Sequence, residues 1–297
     1  MIADVLALVL LQLACGIAFF TLLTPARDLS RGFFVLHAGL AAVCLVLAWL
    51  VSGSGGFLLR KGSGLVASAE AAAPGGGAAA WILTPRALLA VALAAATAAT
   101  FLARVPLPSA LLPSKKFFVF SFFLSVFASS VLLLSRTGVE PFVSRPGLGP
   151  YWLAAGLVFG ALLFGGVIWA MNLGHWYLVS KSLPFTLLVR ATEVFALVAV
   201  ARALLALAAL AWAARTSGGP AADALADLTD TMRDGFFFWS RVLWGLVAPL
   251  ILAPFVVKTA RMRSNQAATG LLYVAVVFVL VGELLAAYLT LRSGLPV

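Results

Sequence analysis

Eight apolar runs, each long enough to cross a lipid bilayer, constrain the fold of this chain more than any other feature. A transmembrane helix needs about 20 mostly apolar residues, with a range of about 17–25. The runs cover residues 3–23, 33–51, 87–103, 117–135, 151–179, 185–212, 235–257 and 266–290. We therefore expect an all-α polytopic membrane protein, a bundle of about eight transmembrane helices in one integral membrane domain of residues 1–297.

The composition excludes both a water-soluble enzyme and a disordered chain. Of the 297 residues, 63% are hydrophobic and 10% are charged, whereas soluble domains carry about 45–50% apolar and about 25% charged residues. The net charge of +10 indicates lipid headgroups rather than nucleic acid, because basic residues concentrate in the loops that flank membrane spans. The expected partners are the lipid bilayer and other membrane or redox subunits.

Two polar segments separate groups of spans. Residues 52–86 are rich in Gly and Ala, which is typical of a flexible loop. Residues 213–234 form an acidic loop, in which Asp223, Asp227 and Asp230 recur at near-helical spacing. We expect a short amphipathic helix there, with its carboxylates facing water or a basic partner.

Eight spans place both termini on the same side of the membrane, which we call side A. The opposite side, side B, carries slightly more Lys and Arg on much shorter loops, and Asp28 is its only acidic loop residue. Short basic loops stay in the cytoplasm. The pattern predicts a cytoplasmic side B and outer, periplasmic termini, as in a protein of the bacterial inner membrane.

Apart from Asp4, at the side-A end of the first run, five charged residues lie inside the spans: Arg190, Glu193, Arg202, Arg241 and Glu283. Placing a charged side chain near the centre of a transmembrane helix costs at least about 2.5–3.5 kcal/mol unless it is ion-paired or hydrated. Counting along the spans puts Arg202, Arg241 and Glu283 at a similar depth in the side-A half. We expect these three to form one cluster, either a structural ion pair between helices or the anion or proton site of a secondary transporter.

The only two histidines, His37 and His175, lie at matched depth near side B on different spans. This arrangement suits a single b-type haem with one imidazole on each face of the iron. It equally suits a quinone headgroup, with an imidazole donating to a carbonyl oxygen. The third interpretation is two unrelated histidines at the membrane interface.

Four more side chains are expected at the same level. Arg190 and Glu193 are three residues apart, a spacing that allows them to pair on one helix surface. Glu193 would exchange protons with a quinone, which makes this pair the predicted catalytic residues. Asn172 and Tyr273 enter from the same side and join the histidines as predicted cofactor-binding residues.

Two features concern helix packing. Gly156 and Gly160 form a small-xxx-small face, which predicts close approach of a neighbouring helix. Pro249 and Pro254 lie near the side-B end of the seventh span and predict a bend there.

The sequence lacks the motifs of nucleotide hydrolysis, zinc proteolysis and covalent haem attachment, and we expect no protein metal site beyond a haem iron. The leading hypothesis is a membrane subunit of a redox complex that handles a quinone or one b-type haem near the cytoplasmic face. The alternatives are a secondary transporter that uses the Arg202, Arg241 and Glu283 cluster and a structural or assembly subunit.

Overall fold

A computed structural model describes residues 2–24, 29–54, 149–179, 183, 186–215, 220–230 and 232–297. All regular secondary structure in these ranges is helical. The predicted spans 87–103 and 117–135, and most of the loop at 52–86, lie outside the described residues.

Seven helices occupy the described part of the chain. They are α1 (Ile2–Leu23), α2 (Arg31–Ser54), α3 (Gly149–Val179), α4 (Thr186–Arg215), α5 (Pro220–Thr229), α6 (Gly235–Arg261) and α7 (Asn265–Ser293). All but α5 are long and apolar enough to cross a membrane, and they overlap six of the eight apolar runs. The chain is an integral, multi-pass membrane protein.

Helix α3 lies at the centre of the described bundle. It packs against α1, α4 and α7, while α2 packs on α1, and α6 packs on α4 and α7. The backbones of α1 and α3 meet at Gly16 and Gly165, where a Cβ atom on either glycine would overlap the other helix. The face of Gly156 and Gly160 also receives neighbours, but these are side chains rather than a helix backbone.

Helix α6 contains a π-helical segment. Its α-helical ends are Gly235–Ser240 and Ala248–Arg261, and residues Arg241–Val247 between them are π-helical. The Ala248 N–H accordingly donates to the Leu243 carbonyl oxygen, five residues earlier. Pro249 follows directly and has no N–H to donate, so the shifted hydrogen-bond ladder ends where a proline removes a donor.

The acidic segment does contain a helix, α5. Next to it, the Arg233 guanidinium forms ion pairs with Asp227 and, at 3.8 Å, with Asp230. All three side chains are about half exposed. The acidic charge of this segment is therefore partly neutralised within the chain.

Candidate functional site

Three charged side chains meet inside the bundle, where α4, α6 and α7 pack together. Arg241 donates from Nη2 to Oε1 of Glu283 at 3.1 Å, and Arg202 Nε lies 3.4 Å from the same oxygen. All three residues are almost wholly buried. We call this group the Arg–Glu–Arg cluster. Counting residues along the spans placed the three at one depth, and the structure brings them into contact.

The segment that follows α7 closes the cluster from one side. Gly294 adopts a left-handed conformation with φ of 76°, which turns the chain back after the helix. The main-chain oxygen of Val297 then accepts hydrogen bonds from Arg202 Nη2 at 2.9 Å and Arg241 Nε at 3.4 Å. The turn also buries the side chains of Leu295 and Val297. The returning segment therefore supplies a polar partner that the three helices lack.

Close contact between α6 and α7 fixes the position of Arg241. A Cβ atom on Gly245 or on Gly282 would overlap the other helix and the Arg241 guanidinium. Arg241 and Gly245 are the buried residues of the π-helical segment. The wider π turn thus presents the arginine and the contact glycine to α7 together, and π turns are frequent at functional sites.

The cluster is not fully satisfied by protein atoms. Four of its side-chain atoms are buried and have no hydrogen-bond partner: Arg202 Nε and Nη1, Arg241 Nη1 and Glu283 Oε2. Glu283 Oε2 points toward Gly160 and Gln12, since a Cβ on that glycine would lie 2.6 Å from it and 2.9 Å from Gln12 Nε2. Two guanidinium groups thus share one side-chain carboxylate.

A small cavity adjoins the cluster on the α1 side. Its volume is about 10 Å³, close to the minimum that holds one water molecule. Gln12 and Arg202 are its main polar lining residues, and Thr290 and Pro296 complete the wall toward the returning segment. An organic anion does not fit in this space, which argues against the predicted cluster as the binding site of a transported organic substrate.

The imidazole of His37 is completely buried between α2 and α3. Its Nδ1 lies 2.8 Å from the Phe33 carbonyl oxygen, and its Nε2 lies 3.4 Å from Nδ2 of Asn172. The ring also packs on Phe33, with 4.1 Å between centroids. With the Nδ1–H donating to the carbonyl and Nε2 accepting from the amide, both ring nitrogens have protein partners.

The predicted facing pair of imidazoles is not found. Both nitrogens of His37 point to protein atoms, whereas His175 is exposed on α3. Iron between two imidazoles would require a free nitrogen on each ring. These residues therefore do not fit a b-type haem. Asn172 does join His37, as expected, but Tyr273 is half exposed on α7 and makes no hydrogen bond with this pair.

The predicted Arg190–Glu193 pair is also replaced. Arg261, at the end of α6, donates from Nη2 and Nε to Oε1 of Glu193 at 2.7 and 3.3 Å. Arg190 is exposed and makes no ion pair with Glu193. An arginine that precedes its glutamate on a helix has the less favourable order, and the forked guanidinium of a neighbouring helix provides two bonds instead.

The Glu193–Arg261 pair lies at one end of a lateral groove between α4 and α6. The groove has a volume of about 560 Å³ and is lined by Ala196, Val200, Leu250, Ala253, Pro254, Val257, Lys258, Arg261 and Met262. Its floor is aliphatic, and its charged residues are all at the end of α6. Glu193, Ala196 and Val200 lie on one face of α4 at spacings of three and four, so the carboxylate belongs to the same surface.

Sequence reasoning missed three parts of these sites. Arg261 was assigned to a loop, because the predicted span ended at residue 257 and the helix continues to Arg261. Gln12 was overlooked, although an amide side chain in the middle of an apolar run is itself a signal of buried polarity. The returning segment after Gly294 carries no periodic pattern that could have revealed it.

In sequence, the chain matches no model of a known protein family and is similar to no curated protein. What the chain does must therefore be argued from the two sites themselves.

Proposed function

We propose that this chain is the membrane-embedded subunit of a redox complex and that it handles a quinone in the groove between α4 and α6. The observation that carries the proposal is the Glu193–Arg261 ion pair at the end of an apolar groove of about 560 Å³. Ligand sites are concave and mostly apolar, with a few polar groups that fix orientation.

The groove offers hydrogen-bond donors for the polar head of a quinone and an aliphatic surface for its tail. A quinone is uncharged, with two carbonyl oxygens that accept hydrogen bonds and an aliphatic tail that prefers hydrocarbon. Arg261 and Lys258 are the donors available to a carbonyl oxygen. The aliphatic floor formed by residues such as Val200 and Leu250 suits the ring face and the start of the tail.

Glu193 is the proposed proton-exchanging residue. Reduction of a quinone to a quinol takes up two electrons and two protons. We assign the electrons to a metal or flavin centre of a partner redox subunit and the protons to water, delivered through the half-exposed carboxylate of Glu193.

The proposal includes a topology. We propose eight spans with both termini on the outer side of a bacterial inner membrane, which places the groove mouth near the cytoplasmic face. The density of basic residues on the short side-B loops supports this orientation. Lys258 and Arg261 at the end of α6, and Arg190 at the start of α4, belong to that basic side.

Quinone retention tests the proposal. The protein and its variants are reconstituted in nanodiscs with ubiquinone or menaquinone, re-purified and extracted, and the bound quinone is quantified. We expect retention by the wild type and a loss of at least about tenfold in Ala196→Trp, which fills the groove, because filling a preformed pocket removes its apolar contacts. Val277→Trp, on the exposed face of α7 and outside the groove lining, is the matched control.

The outcomes separate a quinone from a lipid. If Ala196→Trp retains as much quinone as Val277→Trp and the wild type, the groove is not a quinone site. Extraction of a phospholipid that Ala196→Trp alone loses would likewise contradict the proposal, because it assigns the groove to a structural lipid.

A further inference from the structure

Pro254 lies on the surface of α6 that lines the groove, and it interrupts the hydrogen bonds of the helix there. In an α-helix each carbonyl oxygen accepts from the N–H four residues later, and proline has no N–H. The carbonyl oxygen of Leu250, four residues before Pro254, therefore has no donor at its normal place. The helix is α-helical from Ala248 to Arg261, and in that register the next N–H, that of Phe255, belongs to the Ile251 carbonyl.

The freed carbonyl lies on the groove side of α6. Leu250 and Pro254 are four residues apart and share one helix face, and both line the groove. Across the groove, α4 contributes Ala196 and Val200, whose side chains have no hydrogen-bond donor. An acceptor without a partner in apolar surroundings is unfavourable, so the Leu250 carbonyl is available to a donor on a bound molecule.

The two ends of the groove favour different groups on a ligand. At the charged end, a ligand oxygen can accept from Arg261 or Lys258, and a hydroxyl can also donate to Glu193. That end binds both a quinone carbonyl and a quinol hydroxyl. At the other end the Leu250 main chain offers only an acceptor. A quinol hydroxyl can donate to it, whereas a quinone carbonyl would place two acceptors against each other.

One ring can reach both ends. Leu250 and Lys258 are eight residues apart, which is about 12 Å along the helix axis. Main-chain carbonyl groups point toward the C-terminal end of a helix, and long side chains lean toward its N-terminal end. The two polar groups therefore approach each other, and the gap between them suits one ring with a hydrogen bond at each of its two oxygens.

We propose that the groove binds the quinol more tightly than the quinone, through a hydrogen bond from a ring hydroxyl to the main-chain oxygen of Leu250 that Pro254 leaves free. This inference rests on the proposed quinone groove and names the redox form that the groove prefers. A site that holds the quinol more tightly makes its bound quinone easier to reduce, as a site that receives electrons from a partner subunit requires.

Binding of the two redox forms to the full chain in nanodiscs tests the proposal. Under argon, a ubiquinone with a short alkyl tail is titrated either oxidised or fully reduced by dithionite, and the two dissociation constants are compared. One net hydrogen bond corresponds to about fivefold in affinity, so we expect the wild type to bind the quinol at least about fivefold more tightly.

Pro254→Ala returns an N–H to the Leu250 carbonyl. We expect it to weaken quinol binding until most of the preference is lost, and to leave quinone binding almost unchanged. Pro254 is exposed, and alanine favours helix, so the variant should fold. Pro249→Ala, at the other proline of this part of α6 and outside the groove lining, is the control and should keep the wild-type preference.

Failure of this inference can be told apart from failure of the quinone groove. Equal affinity of the wild type for the two forms, or tighter binding of the quinone, would overturn the inference and leave the groove as a quinone site. A preference that Pro254→Ala retains, or a loss that Pro249→Ala shares, would also overturn it. If the wild type binds neither form, the proposed function is wrong and this inference fails with it.

Discussion

Arg241 Nη2 donates to Glu283 Oε1 at 3.1 Å, and this bond joins the π-helical segment of α6 to the middle of α7. Among the described residues, Glu283 is the only side-chain carboxylate that faces the two buried arginines. Side chains of three helices therefore converge on one carboxylate.

Removing that charge should destabilise the bundle strongly. Glu283→Gln keeps the shape of the side chain but leaves Arg202 and Arg241 buried together, and breaking a buried pair in this way costs about 3–5 kcal/mol. Thermal unfolding in nanodiscs measures the effect. Tyr273→Phe on the same helix should unfold like the wild type. If Glu283→Gln matches that control, the cluster does not hold the helices.

The glycine contact between α1 and α3 predicts a position-specific effect of alanine. Gly165→Ala adds a Cβ that overlaps the Gly16 backbone, and such overpacking costs about 1–3 kcal/mol. Gly270 has no atom within 4 Å of an added Cβ, so Gly270→Ala should be neutral or slightly stabilising, since alanine favours helix. The midpoint of thermal unfolding should therefore fall in Gly165→Ala and not in Gly270→Ala; equal destabilisation of the two variants would argue against the close crossing.

The turn at Gly294 should resist substitution. A residue with a Cβ pays about 1–2 kcal/mol in the left-handed conformation, and movement of the segment would also withdraw the Val297 oxygen from Arg202 and Arg241. We expect Gly294→Ala to lower the unfolding midpoint by several degrees. Gly39→Ala, in the open part of α2, is the control, and indistinguishable midpoints would show that the returning segment adds nothing to stability.

The histidine geometry leads to a spectroscopic expectation. Because both nitrogens of His37 have protein partners and His175 is exposed, the purified protein should show no haem α band in a reduced-minus-oxidised spectrum. A band that His37→Leu abolishes would mean that α2 and α3 rearrange around iron and would contradict the described site.

The depth of a residue in the membrane could be predicted from the sequence, but the rotation of each helix about its own axis could not. A helix rises a fixed distance per residue, so counting from the membrane face brought Arg202, Arg241 and Glu283 to one level. Whether two side chains at one level face each other depends on the rotation of each helix. The apolar runs do not specify that rotation when lipid and protein neighbours are equally hydrophobic, and for this reason the pairing of His37 with His175 was wrong although their depths match.

The end of α6 was also hard to predict from the sequence. Basic and polar residues at the end of α6 resemble a loop by composition, yet the helix continues through Lys258 to Arg261. The partner of Glu193 was therefore sought on its own helix, at Arg190, instead of on α6. The groove depends on packing between α4 and α6, which no pattern within either segment encodes.

Photocrosslinking with an azido-quinone is the most direct measurement of the proposed function. The reconstituted protein is irradiated with the probe, digested, and searched for labelled peptides by mass spectrometry. We expect label on the groove residues of α4 and α6, within residues 193–200 and 250–262. Excess unmodified quinone should prevent this labelling. Label that is confined to other helices, or that excess quinone does not displace, would contradict a quinone site beside Glu193 and Arg261.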